Sequence, residues 1–223
     1  MNKKDQVLVI FPHPDDEAFG VSGTISMHIA NGTPVTYACL TLGEMGRNLG
    51  NPPFATRESL PMIRKQELIK AAEAMGIQDL RMLGFRDKTI EFEDDEKMVQ
   101  LVEALIHELN PSLVISFYPE YSVHPDHDAT GRAVVRAMER MDKDARPTLH
   151  CVAFANNHEQ EIGPPDHIIN VSKFAEQKKA AMKAHLSQTA WMLKEMEPKW
   201  ENGDKVALEW LHTERFWTYP FHN

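Results

Sequence analysis

The strongest constraint on the fold of this chain is a regular alternation of short apolar runs with segments of helical periodicity. The runs 7–11, 35–41 and 113–118 are mainly apolar and rich in β-branched residues, as in strands that are buried on both faces. The clearest helix carries its apolar residues at helical spacing over 98–109. This alternation predicts an α/β fold, a Rossmann-like doubly wound and mostly parallel sheet with helices on both faces.

The segment 43–61 is predicted to be a long loop, because it is rich in Gly, Asn and Pro. Loops of this length in compact domains are often functional. No repeat or boundary interrupts the alternation, so residues 1–223 are predicted to form a single domain. The pattern gives no prediction beyond residue 186. The other predicted elements are strands at 81–85, 150–154 and 167–171 and helices at 22–30, 64–75, 130–141 and 173–186.

Charge and cysteine content exclude several classes of function. Lys and Arg number 24 against 33 Asp and Glu, a formal net charge of −9, which repels nucleic acids and anionic membranes. No apolar stretch approaches the ~18 residues of a membrane span and no signal peptide is visible, so a cytoplasmic location is predicted. Cys39 and Cys151 lie in apolar runs, which predicts reduced, buried thiols rather than a thiolate metal site.

Two clusters of ionisable residues follow predicted strands. The segment 11–17 (FPHPDDE) comes directly after the first strand, and 121–128 (YSVHPDHD) comes shortly after the strand that ends at Tyr118. In doubly wound folds, ligands bind beyond the carboxyl ends of the strands. Both clusters contain proline, which fixes φ and stiffens a loop that must hold ligands. The sequence therefore predicts that these two segments form one site.

Imidazole and carboxylate groups together are typical of a divalent-metal site. His13 and Asp16 are three residues apart and can converge on one ion, with the third ligand supplied by His127 or His124. Two histidines and one carboxylate leave a zinc position open for water, which is the catalytic arrangement. The remaining carboxylate, Asp15, is then a candidate general base, and the remaining histidine a general acid or oxyanion stabiliser.

The same segments resemble the LmbE-like or PIG-L family of zinc-dependent N-acetylglucosaminyl deacetylases. The resemblance runs from the first strand to about residue 188. More narrowly, the loop 45–53 and the chain length resemble the second type of bacillithiol-biosynthesis deacetylase. The matching motifs are 12–17 with Gly20, 124–127 with Gly131, and the shorter segments 41–46, 64–67 and 185–188.

For metal binding and water activation, the resemblance implies roles for three residues of the first cluster and for one of the second. His13, Asp16 and His127 bind zinc, and Asp15 is the general base that activates water. Spacing alone does not separate the two adjacent aspartates, so this division of roles comes from the family. Ferrous iron also suits this ligand set.

The resemblance further implies that His124 stabilises the oxyanion and protonates the leaving amine, while Asp126 orients a histidine. Arg64 and Asp87 match positions that contact substrate in the family. Arg47, on the long loop, is predicted to bind the carboxylates of malate together with Arg64, by forked hydrogen bonds. His185 is as consistent with a structural role as with a site role.

The expected function is zinc-dependent hydrolysis of the N-acetyl group of an N-acetylglucosaminyl conjugate, specifically N-acetylglucosaminyl malate in bacillithiol biosynthesis. Its partner is a small amino-sugar conjugate, with no nucleic acid and no membrane, and the family implies a homo-oligomer. Two alternatives stay open at this point. One is a metal-dependent hydrolase of another amide, an ester or a phosphoester, with its substrate chosen by the loop 43–61. The other is a non-catalytic sugar-binding protein on the same fold.

Overall fold

The computed structural model describes residues 4–221, which form a seven-stranded sheet flanked by helices. The strands are β1 (Lys4–Phe11), β2 (Val35–Thr41), β3 (Asp79–Phe85), β4 (Pro111–Phe117), β5 (Thr148–Val152), β6 (His167–Asn170) and β7 (Thr213–Thr218). The helices are α1 (Asp16–Gly20), α2 (Ser22–Ala30), α3 (Leu60–Met75), α4 (Asp95–Leu109), α5 (Pro125–Glu139), α6 (His158–Ile162), α7 (Ala175–Ala184), α8 (Leu186–Glu201) and α9 (Lys205–His212).

The strand order is β3-β2-β1-β4-β5-β7-β6, with β1 in the interior of the sheet. Strands β1 to β5 pair in parallel, whereas β7 pairs antiparallel with both β5 and β6. The prediction of a doubly wound, mostly parallel sheet is confirmed. Each predicted strand is present, with ends that shift by a few residues.

Two apolar cores cover the two faces of the sheet, and β1 contributes to both. Val7, Val9 and Phe11 pack into one core with residues of α1, α2, α3 and the C-terminal helices. Leu8 and Ile10 face the opposite core, which α4 and α5 cover. Successive side chains of a strand point to opposite faces, so burial on both faces requires the continuous apolar run that the sequence shows.

The carboxyl ends of β1 and β4 form the point at which the sheet reverses its winding. After β1 the chain enters α1 on one face, and after β4 it enters α5 on the other face. Such a reversal opens a crevice between the two loops, and this is where doubly wound folds bind ligands. The two ionisable clusters of the sequence lie in these two loops.

Some elements differ from the sequence-based prediction. Helix α5 begins at Pro125 rather than at residue 130, because His124 caps it and proline suits the first turn. The single helix predicted for 173–186 is a 3₁₀ turn followed by α7, which ends before His185. Strand β7, unpredicted, inserts between β5 and β6. Within residues 4–221, no helix combines the length and apolarity needed to cross a bilayer.

Gly131 lets α5 pack directly on the end of β4. A Cβ atom at this position would lie 2.6 Å from the carbonyl oxygen of Phe117, which is backbone and has no rotamer with which to yield. We expect Gly131→Ala to lower the free energy of unfolding by about 1–3 kcal/mol, the usual cost of overpacking. Denaturant unfolding measures the change. Gly20→Ala is the matched control, because its added methyl group would meet Val152 at an ordinary 3.5 Å; an equal loss in both variants would contradict the steric cause.

Candidate metal centre and active site

The loop after β1 and the first turn of α5 bring both ionisable clusters together at the sheet edge. Asp16 begins α1, and Asp15 precedes it as the N-terminal cap. His124 caps α5, with its Nδ1 accepting a hydrogen bond from the backbone N–H of Asp126 at 3.1 Å, and His127 lies in the first turn. The predicted convergence of segments 11–17 and 121–128 is therefore present in the structure.

Three predicted metal ligands present their donor atoms to a common point. His13 Nδ1 lies 3.1 Å from His127 Nε2. Asp16 completes the triangle, with Oδ1 3.2 Å from His127 Nε2 and Oδ2 3.5 Å from His13 Nδ1. Donor atoms about 2.0–2.2 Å from a zinc ion lie roughly 3.3 Å apart in a tetrahedral site, so this spacing fits such an ion.

The other ring nitrogen of each histidine is already engaged, which decides which nitrogen faces the centre. His13 Nε2 lies 3.1 Å from Asp87 Oδ1 and 3.3 Å from Asp126 Oδ2. His127 Nδ1 lies 3.0 Å from the carbonyl oxygen of Ser122. A nitrogen that donates its proton to an oxygen leaves the opposite nitrogen with a lone pair. Two lone pairs and a carboxylate facing each other form a donor set for a cation.

The charge state of Asp16 suits this role. Burial acts to raise the pKa of Asp16, but the positive charge that the rings of His127 and His13 carry when protonated, together with their hydrogen bonds, outweighs it and holds the pKa far below its usual value. Asp16 is therefore a carboxylate at neutral pH and can ligate a metal directly.

His124 is the competing third ligand. A ring nitrogen of His124 lies within 4.8 Å of ring nitrogens of His13 and His127. Asp16 contacts the same two nitrogens at 3.2 and 3.5 Å. Both residues are therefore placed to be the third ligand. The assignment to Asp16, which the family resemblance implies and which leaves the Nε2 of His124 for another task, stays a prediction.

Asp126 supports the centre from behind His13. It is fully buried, and its two carboxylate oxygens accept backbone N–H groups, Oδ2 from Lys88 at 2.7 Å and Oδ1 from Ile90 at 3.1 Å. These bonds fix the carboxylate that faces His13 Nε2. Asp126 thus has the contacts of a residue that orients a histidine, as the family resemblance implies.

We expect Asp126→Ala to weaken metal affinity by about 10- to 100-fold, the usual effect of losing a carboxylate that orients a ligating histidine. Competition against a chelating dye measures the dissociation constant. Asp128→Ala, two residues along the same helix, is the matched control. A metal affinity equal to that of the control would contradict the orienting role.

Asp15 has an uncommon backbone conformation, and its carboxylate forms an ion pair with an arginine. Its φ is 91°, in the region that favours glycine, and Arg64 Nη2 lies 3.0 Å from its Oδ2. Strained residues of this kind cost about 1–3 kcal/mol and cluster at functional sites. Burial raises the pKa of Asp15 to about 6, against the opposing charge of Arg64. A carboxyl group with a pKa near the working pH suits general base chemistry.

A buried network behind Asp15 is the part of the site that the sequence did not reveal. Glu17 is fully buried, and its Oε2 accepts hydrogen bonds from the backbone N–H of Asp15 at 3.1 Å and from Tyr37 at 3.0 Å. Its Oε1 lies 2.5 Å from His185 Nε2. His185 therefore supports the loop of Asp15 through Glu17. The sequence signal for this network was Glu17, which directly follows two aspartates. A glutamate that is buried needs a hydrogen-bonding or charged partner.

His124 is placed as a neutral hydrogen-bond donor. Because its Nδ1 accepts from the Asp126 N–H, the proton of the neutral ring lies on Nε2. Burial lowers the pKa of His124, and positive charge on the rings of His13 and His127, when they are protonated, lowers it further. These observations support the predicted oxyanion role over the role of an acid that protonates the amine.

A polar cavity of about 430 Å³ opens over the centre. The three predicted substrate residues, Arg47, Arg64 and Asp87, all line it, together with Lys88. Arg47 is exposed there. Arg64 is buried and donates to the carbonyl oxygens of Gly43 and Pro14 as well as to Asp15. Its direct contacts are thus with the candidate general base and with the loops after β1 and β2, and contact with substrate stays a prediction.

Asp87 is also engaged by the protein. Its Oδ1 lies beside His13, and its Oδ2 accepts the backbone N–H of Met45 at 2.8 Å. It therefore ties the long loop to the metal centre, and its predicted contact with substrate is untested.

A larger cavity, of about 780 Å³, lies on the other side of Asp15, Asp16 and His127. Five phenylalanine and tryptophan side chains are among the residues that line it. Its two cations are paired with carboxylates, Lys178 with Glu214 at 2.9 Å and Arg215 with Glu209 at 2.6 Å. This cavity consequently offers little free charge to an anionic ligand. Its aromatic residues are Phe19, Phe117, Phe154, Trp210 and Trp217.

Comparison with known proteins gives one family match and close full-length relatives. Residues 8–138, more than half of the chain, match the family model PIG-L, described as GlcNAc-PI de-N-acetylase. A Bacillus anthracis protein named "Probable N-acetyl-alpha-D-glucosaminyl L-malate deacetylase 2" is 54% identical over 222 residues, 99% of this chain and 98% of the relative. A Bacillus subtilis (strain 168) protein of the same name is 50% identical over 220 residues, 99% of this chain and 100% of that relative.

A solved structure agrees with the fold. The N,N'-diacetylchitobiose deacetylase from Pyrococcus horikoshii, complexed with its inhibitor MPG, superposes with a TM-score of 0.72 at 24% sequence identity. The match covers 97% of this chain and 84% of that one. At this identity the likeness is one of fold, which agrees with the doubly wound sheet described above.

Proposed function

The chain belongs to the PIG-L family and is an N-deacetylase, and from that premise we propose that it hydrolyses the N-acetyl group of N-acetylglucosaminyl malate. The products would be acetate and glucosaminyl malate, in bacillithiol biosynthesis. The observation that carries the proposal is the convergence of His13, Asp16 and His127 beside Asp15 at the base of a cavity with free cations. Identity of 50–54% to malate-conjugate deacetylases along the whole chain supports the substrate.

His13 Nδ1, His127 Nε2 and Asp16 would hold the divalent ion, which we propose to be zinc, with ferrous iron as the alternative. Such an ion lowers the pKa of a coordinated water towards ~7 and polarises the acetyl carbonyl group.

The residues of the chain supply the proton transfers and the charge stabilisation. Asp15 takes the proton of the attacking water, and its raised pKa lets it return that proton to the departing amine nitrogen. The Nε2–H of His124 donates to the carbonyl oxygen as negative charge develops there. Arg64 holds the carboxylate of Asp15 in place. The amide C–N bond breaks, and acetate and a free amine leave.

We further propose a single domain, a cytoplasmic location and a homo-oligomeric assembly. The unbroken sheet from β3 to β6 supports the single domain. Light scattering on purified protein measures the assembly, and a monomeric mass at micromolar concentration would contradict it.

The test of function is release of free amine from N-acetylglucosaminyl malate by purified protein. We expect turnover that a chelator abolishes and that added Zn²⁺ or Fe²⁺ restores, with the better metal identified by the same assay. Ester and phosphoester analogues run in parallel test the alternative hydrolase. Binding of the conjugate without turnover, in protein whose metal content is full, would contradict the proposal and favour a sugar-binding role.

Arg47 gives a sharper test of the substrate. We expect Arg47→Ala to raise KM for N-acetylglucosaminyl malate about tenfold, the effect of one lost charge-assisted hydrogen bond. The KM for plain N-acetylglucosamine should rise less, since that sugar has no carboxylate. Equal changes for both substrates in steady-state assays would remove the carboxylate role.

A further inference from the structure

The cations of the polar cavity are not equivalent. Three line it, namely Arg47, Arg64 and Lys88. Arg64 is 3% exposed and is bound to Asp15 and to two carbonyl oxygens. Arg47 and Lys88 are exposed, and within residues 4–221 neither side chain makes a hydrogen bond or an ion pair. The cavity therefore presents two positive charges that the protein itself does not neutralise.

The backbone holds Lys88 at this place. Its φ is 62°, the left-handed region, where a lysine is uncommon and where glycine or asparagine is favoured. Its N–H donates to Asp126 Oδ2 at 2.7 Å, the carboxylate that faces His13. The backbone of Lys88 is thus hydrogen-bonded to Asp126, the carboxylate behind His13. Strained backbone conformations of this kind are found mainly at functional sites.

The same turn fixes Lys88 relative to Arg47. Asp87, the residue before Lys88, accepts the backbone N–H of Met45, two residues before Arg47. The long loop and the turn after β3 are therefore joined by a hydrogen bond of 2.8 Å. The two segments that carry these cations are therefore joined to each other at the cavity rather than being independent loops.

We propose that Lys88 and Arg47 together form a dicarboxylate-binding subsite, in which each cation takes one carboxylate of the substrate. Arg47 offers a forked guanidinium, and Lys88 offers a compact ammonium charge. The inference rests on the proposed function and adds Lys88 as the residue that distinguishes a dicarboxylate from a monocarboxylate or neutral conjugate. In the larger aromatic cavity the cations are not available to a ligand in this way, since Lys178 and Arg215 are paired there with carboxylates.

The test compares Lys88→Gln with Arg86→Gln. Both remove one positive charge from the same turn, but Arg86 lines a different hollow, with Glu44 and Phe85. The measured quantity is the ratio of kcat/KM for N-acetylglucosaminyl malate to kcat/KM for the methyl glycoside of N-acetylglucosamine. We expect Lys88→Gln to lower this ratio about tenfold and Arg86→Gln to change it less than twofold. Equal ratios in the two variants would overturn the subsite.

Free L-malate separates this inference from the proposed function. We expect L-malate to inhibit hydrolysis of the methyl glycoside competitively, and lactate, with one carboxylate, to inhibit it about tenfold less. Lys88→Gln should abolish this difference and Lys88→Arg should retain it. A wild-type enzyme that fails to hydrolyse the malate conjugate overturns the proposed function, whereas equal inhibition by malate and lactate overturns the subsite alone.

Discussion

Asp15→Ala is expected to lower kcat by about 100- to 10,000-fold, the usual contribution of a general base, while the metal content stays that of the wild-type protein. Asp15 has the contacts of a base rather than of a ligand. Its carboxylate faces Arg64, whereas Asp16 faces the ring nitrogens of His13 and His127. Removal of Asp15 should therefore leave the three metal donors in place.

Turnover and bound metal must be measured on the same sample, by amine release and by elemental analysis. Asp15→Asn is the control for the backbone, because asparagine tolerates the left-handed conformation that alanine disfavours. Both variants should lose turnover. Loss of metal in the Asn variant would mean that the roles of Asp15 and Asp16 are exchanged.

The sequence predicted the sheet well because its strands are buried on both faces. Residues 7–11 pack into both cores, and only a strand that is apolar at every position can do so. The sequence pattern of this segment therefore has a single structural interpretation. Residues 213–218 contain no such run. They pair antiparallel between β5 and β6 because of tertiary context, which local pattern does not encode.

The residues that converge at the site, and Asp126 behind them, were predicted, whereas the supporting pair of Glu17 and His185 was not. The convergence of segments 11–17 and 121–128 followed from parallel strands that end at one edge. The roles of Asp15 and Asp16 depend on the direction of each side chain, which the positive φ of Asp15 decides. Glu17 and His185 are 168 residues apart in sequence, and only the folded chain brings this buried pair together.

His127→Ala is expected to weaken metal binding by more than about 100-fold, beyond the effect of losing a residue that only orients a ligand. Its Nε2 is the atom shared by both short contacts of the donor triangle, at 3.1 Å to His13 and 3.2 Å to Asp16. The ring is fixed by stacking on Phe117 at 4.1 Å and by its bond to the Ser122 carbonyl oxygen. Alanine removes this donor atom.

His124→Ala is the matched variant for this test, because both histidines lie in the same cap and first turn. We expect it to keep the metal and to lose about 100- to 1,000-fold in kcat, the cost of one oxyanion donor. Thermal unfolding with and without added Zn²⁺ supplies a readout that does not depend on activity, since a ligand that binds the folded state raises Tm. A Zn²⁺-dependent rise in Tm that persists in His127→Ala and disappears in His124→Ala would make His124 the third ligand and leave His127 as the oxyanion donor.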